Sequence, residues 1–193
     1  MGSEPSAWAL QIPEEERLNM FALVVYIPDL LGRYLDDLRR ELIPNYNPHA
    51  HVSLLPPRTL SVDWQEASAQ AKQLTESWAP FDVELTDVQV FPATEVVYVG
   101  VGAGSKELCS LHEAMNSGPL KFAEPYAYHP HITLAQEIPP EHKAAVRELA
   151  CRRWREFPGP RSFRADRAVF VQNTVSHCWV DLAEYTLGVV QVP

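Results

Sequence analysis

The chain has few cysteines, and their spacing excludes the usual cysteine frameworks. The three, Cys109, Cys151 and Cys178, are widely separated and include no C-x-x-C pair. An odd number of isolated cysteines is typical of free thiols in a reducing compartment, so we expect neither disulfides nor a cysteine-based zinc site. No motif supports a nucleophilic cysteine, and we expect all three to be buried packing residues.

The chain also lacks long apolar runs. None approaches the roughly 20 residues that a membrane helix needs. Near the N-terminus, three glutamates at 14–16 interrupt the sequence before any apolar stretch of the kind found in secretory signals. We therefore expect no membrane contact and a cytoplasmic location.

The composition is that of a chain able to form a core. Its 193 residues are 46% apolar and 21% charged and include five tryptophans, which argues against disorder. No low-complexity segment or clear linker divides the sequence. We expect residues 1–193 to form one domain, with two lobes, and the protein to be a monomer.

Positive charge is concentrated in one segment of an otherwise acidic chain. The formal net charge is −9, which is not typical of a non-specific nucleic-acid binder. Yet eight of the sixteen basic residues lie between Lys143 and Arg167, opposed there by only three acidic residues. This basic segment is either a landing surface for an anionic ligand or a solvated helix face.

Hydrophobic patterning predicts strands interleaved with helices. Short apolar or alternating runs predict strands at 20–27, 51–55, 81–90, 96–101, 131–135, 163–171 and 178–187. Three- and four-residue spacing predicts helices at 30–42, 63–78, 105–116 and 139–155. The order predicts an α+β or α/β sheet layered against helices, with two related halves.

An internal repeat is the most informative part of the sequence. Residues 49–54 read His-Ala-His-Val-Ser-Leu and residues 129–134 read His-Pro-His-Ile-Thr-Leu. Both follow H-x-H-[VI]-[ST]-L, and together they hold four of the seven histidines. A single H-x-[ST] often occurs by chance, whereas two matching hexads that each open a predicted strand are a much stronger signal.

Alternation along a strand gives this repeat a chemical meaning. Side chains two residues apart lie on one face of a strand, so His51 projects with Ser53, and His131 with Thr133. If the halves pack about a pseudo-two-fold axis, two imidazoles and two hydroxyls surround one small space. One imidazole can accept a proton from water, the other can protonate a leaving oxygen, and the hydroxyls can donate to phosphate oxygens. The pattern indicates phosphoester chemistry that needs no metal and no cofactor.

These motifs resemble those of the 2H phosphoesterase superfamily, which includes the bacterial 2′-5′ RNA ligase-like (LigT-like) proteins and cyclic nucleotide phosphodiesterases. HVSLLPPR at 51–58 and YHPHITLAQ at 128–136 are most similar to the bacterial ligase-like branch. The resemblance spans the chain. It implies an α+β fold of two pseudo-symmetric lobes, with mostly antiparallel sheets, helices on the outer faces and a central cleft.

The same resemblance implies an activity and a set of roles. The expected enzyme is a hydrolase that opens 2′,3′-cyclic phosphates or 2′-5′-linked phosphodiesters of nucleotides or RNA ends without a metal, with RNA ligation as the reverse reaction. His51 and His131 would be acid and base, and Ser53 and Thr133 the phosphate anchors. The sequence does not assign which histidine is the base.

Other residues near the motifs are candidates for substrate binding. They are Arg58, Tyr128, His129 and Gln136. Several ligase-like relatives have arginine where this chain has Gln136, so Arg58 is a candidate for the missing charge, or else a residue of a surface loop. Many relatives have threonine in place of Ser53, which keeps the hydroxyl donor. We expect His49 and His129 to be loop or supporting residues.

Two other classes of function remain open at this stage. The H-x-H units could bind zinc or another divalent ion, although neither hexad contains the carboxylate that is usual at hydrolytic metal sites. The protein could instead hold nucleotides or RNA ends without turnover, using the basic segment and stacking aromatics. The candidate aromatics are Tyr46, Tyr98, Tyr126, Tyr128 and Trp179.

Overall fold

The computed structural model of the chain describes residues 12–44 and 49–188; Tyr46 lies outside these ranges. The elements are β1 (Arg17–Tyr26), α1 (Asp29–Leu42), β2 (His51–Arg58), α2 (Trp64–Ser77), β3 (Phe81–Val90), β4 (Val97–Val101), α3 (Ser105–Met115), β5 (His131–Ala135), α4 (Lys143–Glu156), β6 (Ser162–Ala165), β7 (Arg167–Thr174) and β8 (Trp179–Thr186). The fold is α+β, as the sequence and its resemblance predicted.

The strands form two antiparallel four-stranded sheets. The first has the order β2-β1-β7-β8 and the second the order β5-β4-β3-β6. Each sheet therefore has one strand of the histidine repeat at its edge, β2 in the first and β5 in the second. These two edge strands contact each other.

The two sheets share strands from both halves of the chain. The predicted halves are not separate in space, because β3 from the first half lies in the second sheet and β7 and β8 return to complete the first. The second sheet uses the four consecutive strands β3 to β6, whereas the first combines β1 and β2 with β7 and β8 from the other end of the described chain. Because the first sheet needs strands from both sides of the second, we propose that the whole chain is one domain.

Several element boundaries differ from the prediction, including the start of β1, which is Arg17 and not residue 20. β2 continues through Pro56 and Pro57 to Arg58, which an edge strand permits because its outer N–H groups are unpaired. α4 begins at Lys143, preceded by a turn of 3₁₀ helix. The predicted strand at 163–171 is two strands separated at Asp166, with β6 paired to β3 and β7 to β1.

The main core lies between the helices and one face of each sheet. In β1, Leu23 and Val25 are buried in this core, and the apolar face of α1 adds Leu31, Leu35 and Leu38. Burying each such side chain contributes about 1.5–3 kcal/mol. The i, i+4 and i, i+3 spacing predicted for α1 is therefore the spacing of its buried face.

The opposite face of the first sheet has a smaller apolar cluster. It consists of Ala22, Val24, Val169 and Val171, with Tyr26 and Trp179 packed against it. Antiparallel pairing sets Tyr26 opposite His51 and Val24 opposite Ser53. Since directly opposed residues share a face, His51 and Ser53 lie on the side of the sheet away from the main core.

The expectation about the cysteines has a clear outcome. The prediction of three buried cysteines is wrong, since Cys109 and Cys178 are exposed and Cys151 is half-buried. Cysteines on the outer side of α3 and in the β7–β8 turn region do not face the core. Among the described residues, no helix is both long enough and apolar enough to cross a membrane.

Candidate active site

The two motifs have the alternating burial that their sequence predicts. His51 and Ser53 are half-buried while Val52 and Leu54 are fully buried. β5 repeats this pattern, with His131 and Thr133 half-buried and the residues between and after them buried. Because β2 and β5 contact each other, the structure brings the four predicted site residues to the region where the two sheets meet.

Each histidine is held by the same hydrogen bond to its own chain. Nδ1 of His51 lies 2.8 Å from the His49 carbonyl oxygen, and Nδ1 of His131 lies 2.7 Å from that of His129. A carbonyl only accepts, so each Nδ1 carries the proton and donates it. In the neutral rings, both Nε2 atoms are therefore unprotonated and able to accept a proton.

Both histidines bind a proton less readily than free imidazole does. Burial lowers the pKa of His51 from 6.5 to about 4, against the opposing effect of its hydrogen bond to His49. The positive charge of Arg39 and the electrostatic effects of His131 and His49 lower it further. Burial likewise lowers the pKa of His131, against the opposing effect of its hydrogen bond to the His129 carbonyl, and the electrostatic effect of His129 lowers it further. The influence of His131 on His51 follows from their proximity across the two sheets.

Aromatic rings flank both histidines. Tyr26 lies 6.4 Å from the His51 ring, centroid to centroid, and its hydroxyl donates to Asp181 at 2.6 Å. Phe91 meets the His131 ring edge-on at 4.9 Å and stacks on Tyr98 at 4.0 Å. Sequence reasoning missed Phe91 and Asp181, since neither belongs to a motif, and identified Tyr98 only as one of several aromatics.

Arg58 is buried, in contrast to the loop position considered from the sequence. It is 2% exposed, and its guanidinium donates to Glu124 at 2.5 Å and to Asn116 and the Leu120 carbonyl at 2.9 Å each. These contacts join the end of β2 to segment 116–124. A guanidinium enclosed in this way is not presented to a ligand, so the proposed site does not include Arg58.

The other three substrate-binding candidates lie around β5. Tyr128 is half-buried, and its hydroxyl donates to the Ser53 carbonyl at 2.8 Å. His129 and Gln136 are exposed; His129 lies just before the first residue of β5 and Gln136 just after its last. His129 also lies 5.4 Å from Phe91, centroid to centroid. His129 and Gln136 stay candidates for contacts to a substrate beyond the reacting phosphate.

Most of the basic segment forms local contacts. Within the described residues, four of its eight cations have carboxylate partners, namely Lys143 with Glu95, Arg153 with Glu41 and Glu156, Arg164 with Asp82, and Arg167 with Asp166 and Glu184. Arg161 donates to the carbonyl of Trp154. Paired surface charges attract a distant anion less than free ones do. The segment extends over α4, β6 and the first residue of β7, so it is not a single helix face, and its ion pairs favour a solvated surface over a landing surface for an anion.

The described residues do not form a metal-ligand cluster. Across residues 12–44 and 49–188, no group of three or more His, Cys, Asp and Glu side chains is placed to hold a metal ion. The pair His51 and His131 therefore has no carboxylate or cysteine companion within this part of the chain.

Comparison with known proteins gives a family and relatives. The family model described as the 2′-5′ RNA ligase superfamily matches residues 27–176. A Bacillus licheniformis protein named as a phosphoesterase is 27% identical over 129 residues, 65% of this chain and 76% of the relative. A similarly named protein of Geobacillus thermodenitrificans is 27% identical over 106 residues, 50% of this chain and 61% of its own.

Solved structures with the same fold include nucleotide complexes. Escherichia coli LigT in its apo form has a TM-score of 0.63 at 17% identity, covering 91% of this chain and 99% of LigT. LigT complexed with 3′-AMP has a TM-score of 0.62 at 18% identity, covering 90% and 99%. Kluyveromyces marxianus Usb1 with uridine monophosphate has a TM-score of 0.50 at 13% identity, covering 86% and 98%. At these identities the likeness establishes the fold.

Proposed function

The chain belongs to the 2′-5′ RNA ligase superfamily, the 2H phosphoesterases, and from that premise we propose that it is a metal-independent phosphodiesterase. Its proposed substrates are 2′,3′-cyclic phosphates or 2′-5′-linked phosphodiesters of nucleotides or RNA ends, and RNA ligation would be the reverse reaction. The observation that carries the proposal is the matched pair of imidazoles. Each is oriented by an Nδ1 bond to the carbonyl two residues earlier, and each has Nε2 available for proton transfer.

The environments of the two histidines support different roles. His51 has the lower pKa, about 4, and stays neutral across the physiological range, as a general base must. The pKa of His131 is lowered without the added effect of Arg39, so His131 is assigned as the general acid. Proton transfer by each group typically contributes about 10²- to 10⁴-fold to the rate.

The proposed hydrolysis of a cyclic phosphate proceeds in one displacement. His51 accepts a proton from the attacking water as the new P–O bond forms. The ring P–O bond breaks, and His131 gives its proton to the departing ribose oxygen. Ser53 and Thr133 donate hydrogen bonds to the non-bridging oxygens, where negative charge increases in the transition state. The product is a nucleoside monophosphate, and both histidines return to their starting states by exchange with solvent.

A nucleotide substrate is consistent with the ligands of the solved relatives. LigT was crystallised with 3′-AMP and with NADP+, and Usb1 with uridine monophosphate. These complexes equally fit the second candidate, a module that holds nucleotides or RNA ends without turning them over. The oriented Nδ1 bonds favour the enzyme, because a binding site has no need of two imidazoles fixed in the same tautomer.

The test is hydrolysis of nucleoside 2′,3′-cyclic phosphates, with product regiochemistry, in excess chelator. We expect the wild type to turn over under these conditions and His51→Ala and His131→Ala each to lose at least 10²-fold in kcat. Activity that disappears with chelator and returns with zinc would favour the metal alternative. Retained nucleotide binding with no turnover in the wild type would favour the binding module, and full activity in both variants would refute the assignment.

A further inference from the structure

A partly buried hydrogen-bond network joins the first histidine motif to the segment that leads into the second. Tyr128 lies three residues before His131, and its hydroxyl donates to the Ser53 carbonyl at 2.8 Å. This bond links residues that are 75 positions apart. It is therefore a direct connection between the two motifs through groups other than the proposed catalytic atoms.

The carbonyls of Ser53 and Leu54 belong to an irregular part of β2. Pairing with β1 passes from Ser53 opposite Val24 to Leu55 opposite Leu23, so Leu54 is left without a partner in β1. Such a bulge frees backbone groups that must find other partners when they are buried. Tyr128 takes the Ser53 carbonyl, and Nδ1 of His112 donates to the Leu54 carbonyl at 2.7 Å.

The two donors at this bulge support each other. The rings of Tyr128 and His112 stack with centroids 3.8 Å apart and planes 2° from parallel. Nε2 of His112 lies 3.5 Å from Glu124, whose other carboxylate oxygen accepts from Arg58. The Tyr128 ring is thus fixed on one face by an imidazole that is itself held by β2 and Glu124.

The geometry points to Tyr128 as a positioning residue that sets His131 relative to Ser53 and His51. The inference rests on the proposed function and adds to it a residue that does not touch the reacting phosphate. The next residue, His129, supplies the carbonyl that accepts from Nδ1 of His131. Anchoring Tyr128 to Ser53 therefore fixes the start of the short segment whose carbonyl selects the tautomer of His131.

The decisive variant is Tyr128→Phe, which keeps the ring stacked on His112 and removes only the hydroxyl. We expect kcat for the cyclic phosphate to fall about tenfold while KM changes less than threefold, because ground-state binding is retained and proton transfer is misaligned. In ¹H–¹⁵N spectra of the histidine rings, His131 should shift from the Nδ1–H form towards a mixture of both tautomers.

A matched control removes a comparable hydroxyl elsewhere. Tyr185 is buried on β8, the far edge of the first sheet, and its hydroxyl bonds to Ser68. Tyr185→Phe should lower the melting temperature about as much as Tyr128→Phe does, and leave both kcat and the His131 tautomer unchanged. A second variant, His112→Phe, keeps a flat ring beside Tyr128 and should reduce kcat less than Tyr128→Phe.

The outcomes separate this inference from the proposed function. If the wild type shows no turnover, the proposed function fails, and the tautomer of His131 in Tyr128→Phe still tests the positioning role. A Tyr128→Phe protein with kcat within twofold of the wild type and an unchanged His131 spectrum overturns the inference. Equal losses of kcat in Tyr128→Phe and Tyr185→Phe also overturn it, since they would reflect stability alone.

Discussion

The strands β2 and β5 present the same two side-chain types in the same way, but in different surroundings. Both histidines donate from Nδ1 to the carbonyl two residues earlier. Across the sheet, however, His51 is opposite Tyr26 while His131 is opposite Gly100. The local repeat therefore sets the orientation of each imidazole, and the non-repeated neighbours set how readily it takes a proton.

The surroundings of His51 include a cation and a tyrosine that is bonded to a carboxylate. Arg39, which is 5% exposed on α1, adds positive charge near His51. Tyr26 is tied to Asp181, and burial together with this carboxylate raises the pKa of its phenol. On β4, opposite His131, a Cβ atom added to Gly100 would lie 2.6 Å from the Thr86 hydroxyl oxygen, so this position has no space for a larger residue. The difference supports a base on β2 and an acid on β5.

The largest expected effect separates these two roles by the leaving group. On a cyclic phosphate, His51→Gln and His131→Gln should each lose about 10²- to 10⁴-fold in kcat. On a nucleoside p-nitrophenyl phosphodiester, whose leaving group needs no proton, His131→Gln should lose far less while His51→Gln stays impaired. Stopped-flow absorbance of p-nitrophenolate measures this, and the reverse pattern would exchange the two roles.

The hydroxyls test how far the two motifs are equivalent. Ser53→Ala and Thr133→Val should each reduce kcat on the order of 10²-fold, because each removes one donor to the transition-state oxygens. The exchanges Ser53→Thr and Thr133→Ser keep the hydroxyl and should stay within a few-fold of the wild type. Steady-state kinetics on one cyclic phosphate compares kcat of all four variants. If Ser53→Thr and Thr133→Ser lose as much kcat as Ser53→Ala and Thr133→Val do, the packing of the side chain and not its hydroxyl donor determines the rate.

The pH dependence of kcat/KM should show the two environments separately. The base must be neutral, so activity should fall as the pH drops through the His51 pKa of about 4. The acid must be protonated, so activity should fall as the pH rises through the pKa of His131, which burial places below 6.5. The p-nitrophenyl substrate should lack the alkaline limb, and an optimum above pH 7.5 on the cyclic phosphate contradicts this assignment.

The smallest effect concerns stability in acid. His51 binds a proton more weakly in the folded protein than in the unfolded chain. Its contribution to the free energy of unfolding is therefore fully present above about pH 6.5, where the ring is neutral in both states. That stability is lost as the pH falls towards 4, by about 3 kcal/mol at most. In denaturant titrations, the free energy of unfolding of His51→Gln should fall less between pH 6.5 and 4 than that of the wild type. An equal fall in both proteins would contradict the lowered pKa of His51.

The sequence predicts the parts of this site that depend on local order. Two-residue alternation placed His51 with Ser53 and His131 with Thr133, and the bounds of β5 at 131–135 agree with the prediction. Helical spacing likewise predicted α1 up to Leu42. In each case the determining interactions lie within a few residues along the chain.

Features that depend on distant partners were not predictable in the same way. The break at Asp166 separates one predicted strand into two because its halves pair with different sheets. Arg58 follows two prolines, which suggested a loop, yet its guanidinium also donates to three groups of segment 116–124. The bond from Tyr26 to Asp181 spans 155 positions and has no motif. Such contacts are fixed by topology, which periodicity does not encode.

The central claim is that one histidine from each sheet acts with the other in a single displacement. The most direct test is kcat on a nucleoside 2′,3′-cyclic phosphate, in excess chelator, for His51→Gln, His131→Gln and the double variant. Groups that act as a unit are non-additive, so the double variant should be no more than about threefold slower than the slower single variant. Losses that multiply, or a single variant as active as the wild type, would contradict the account.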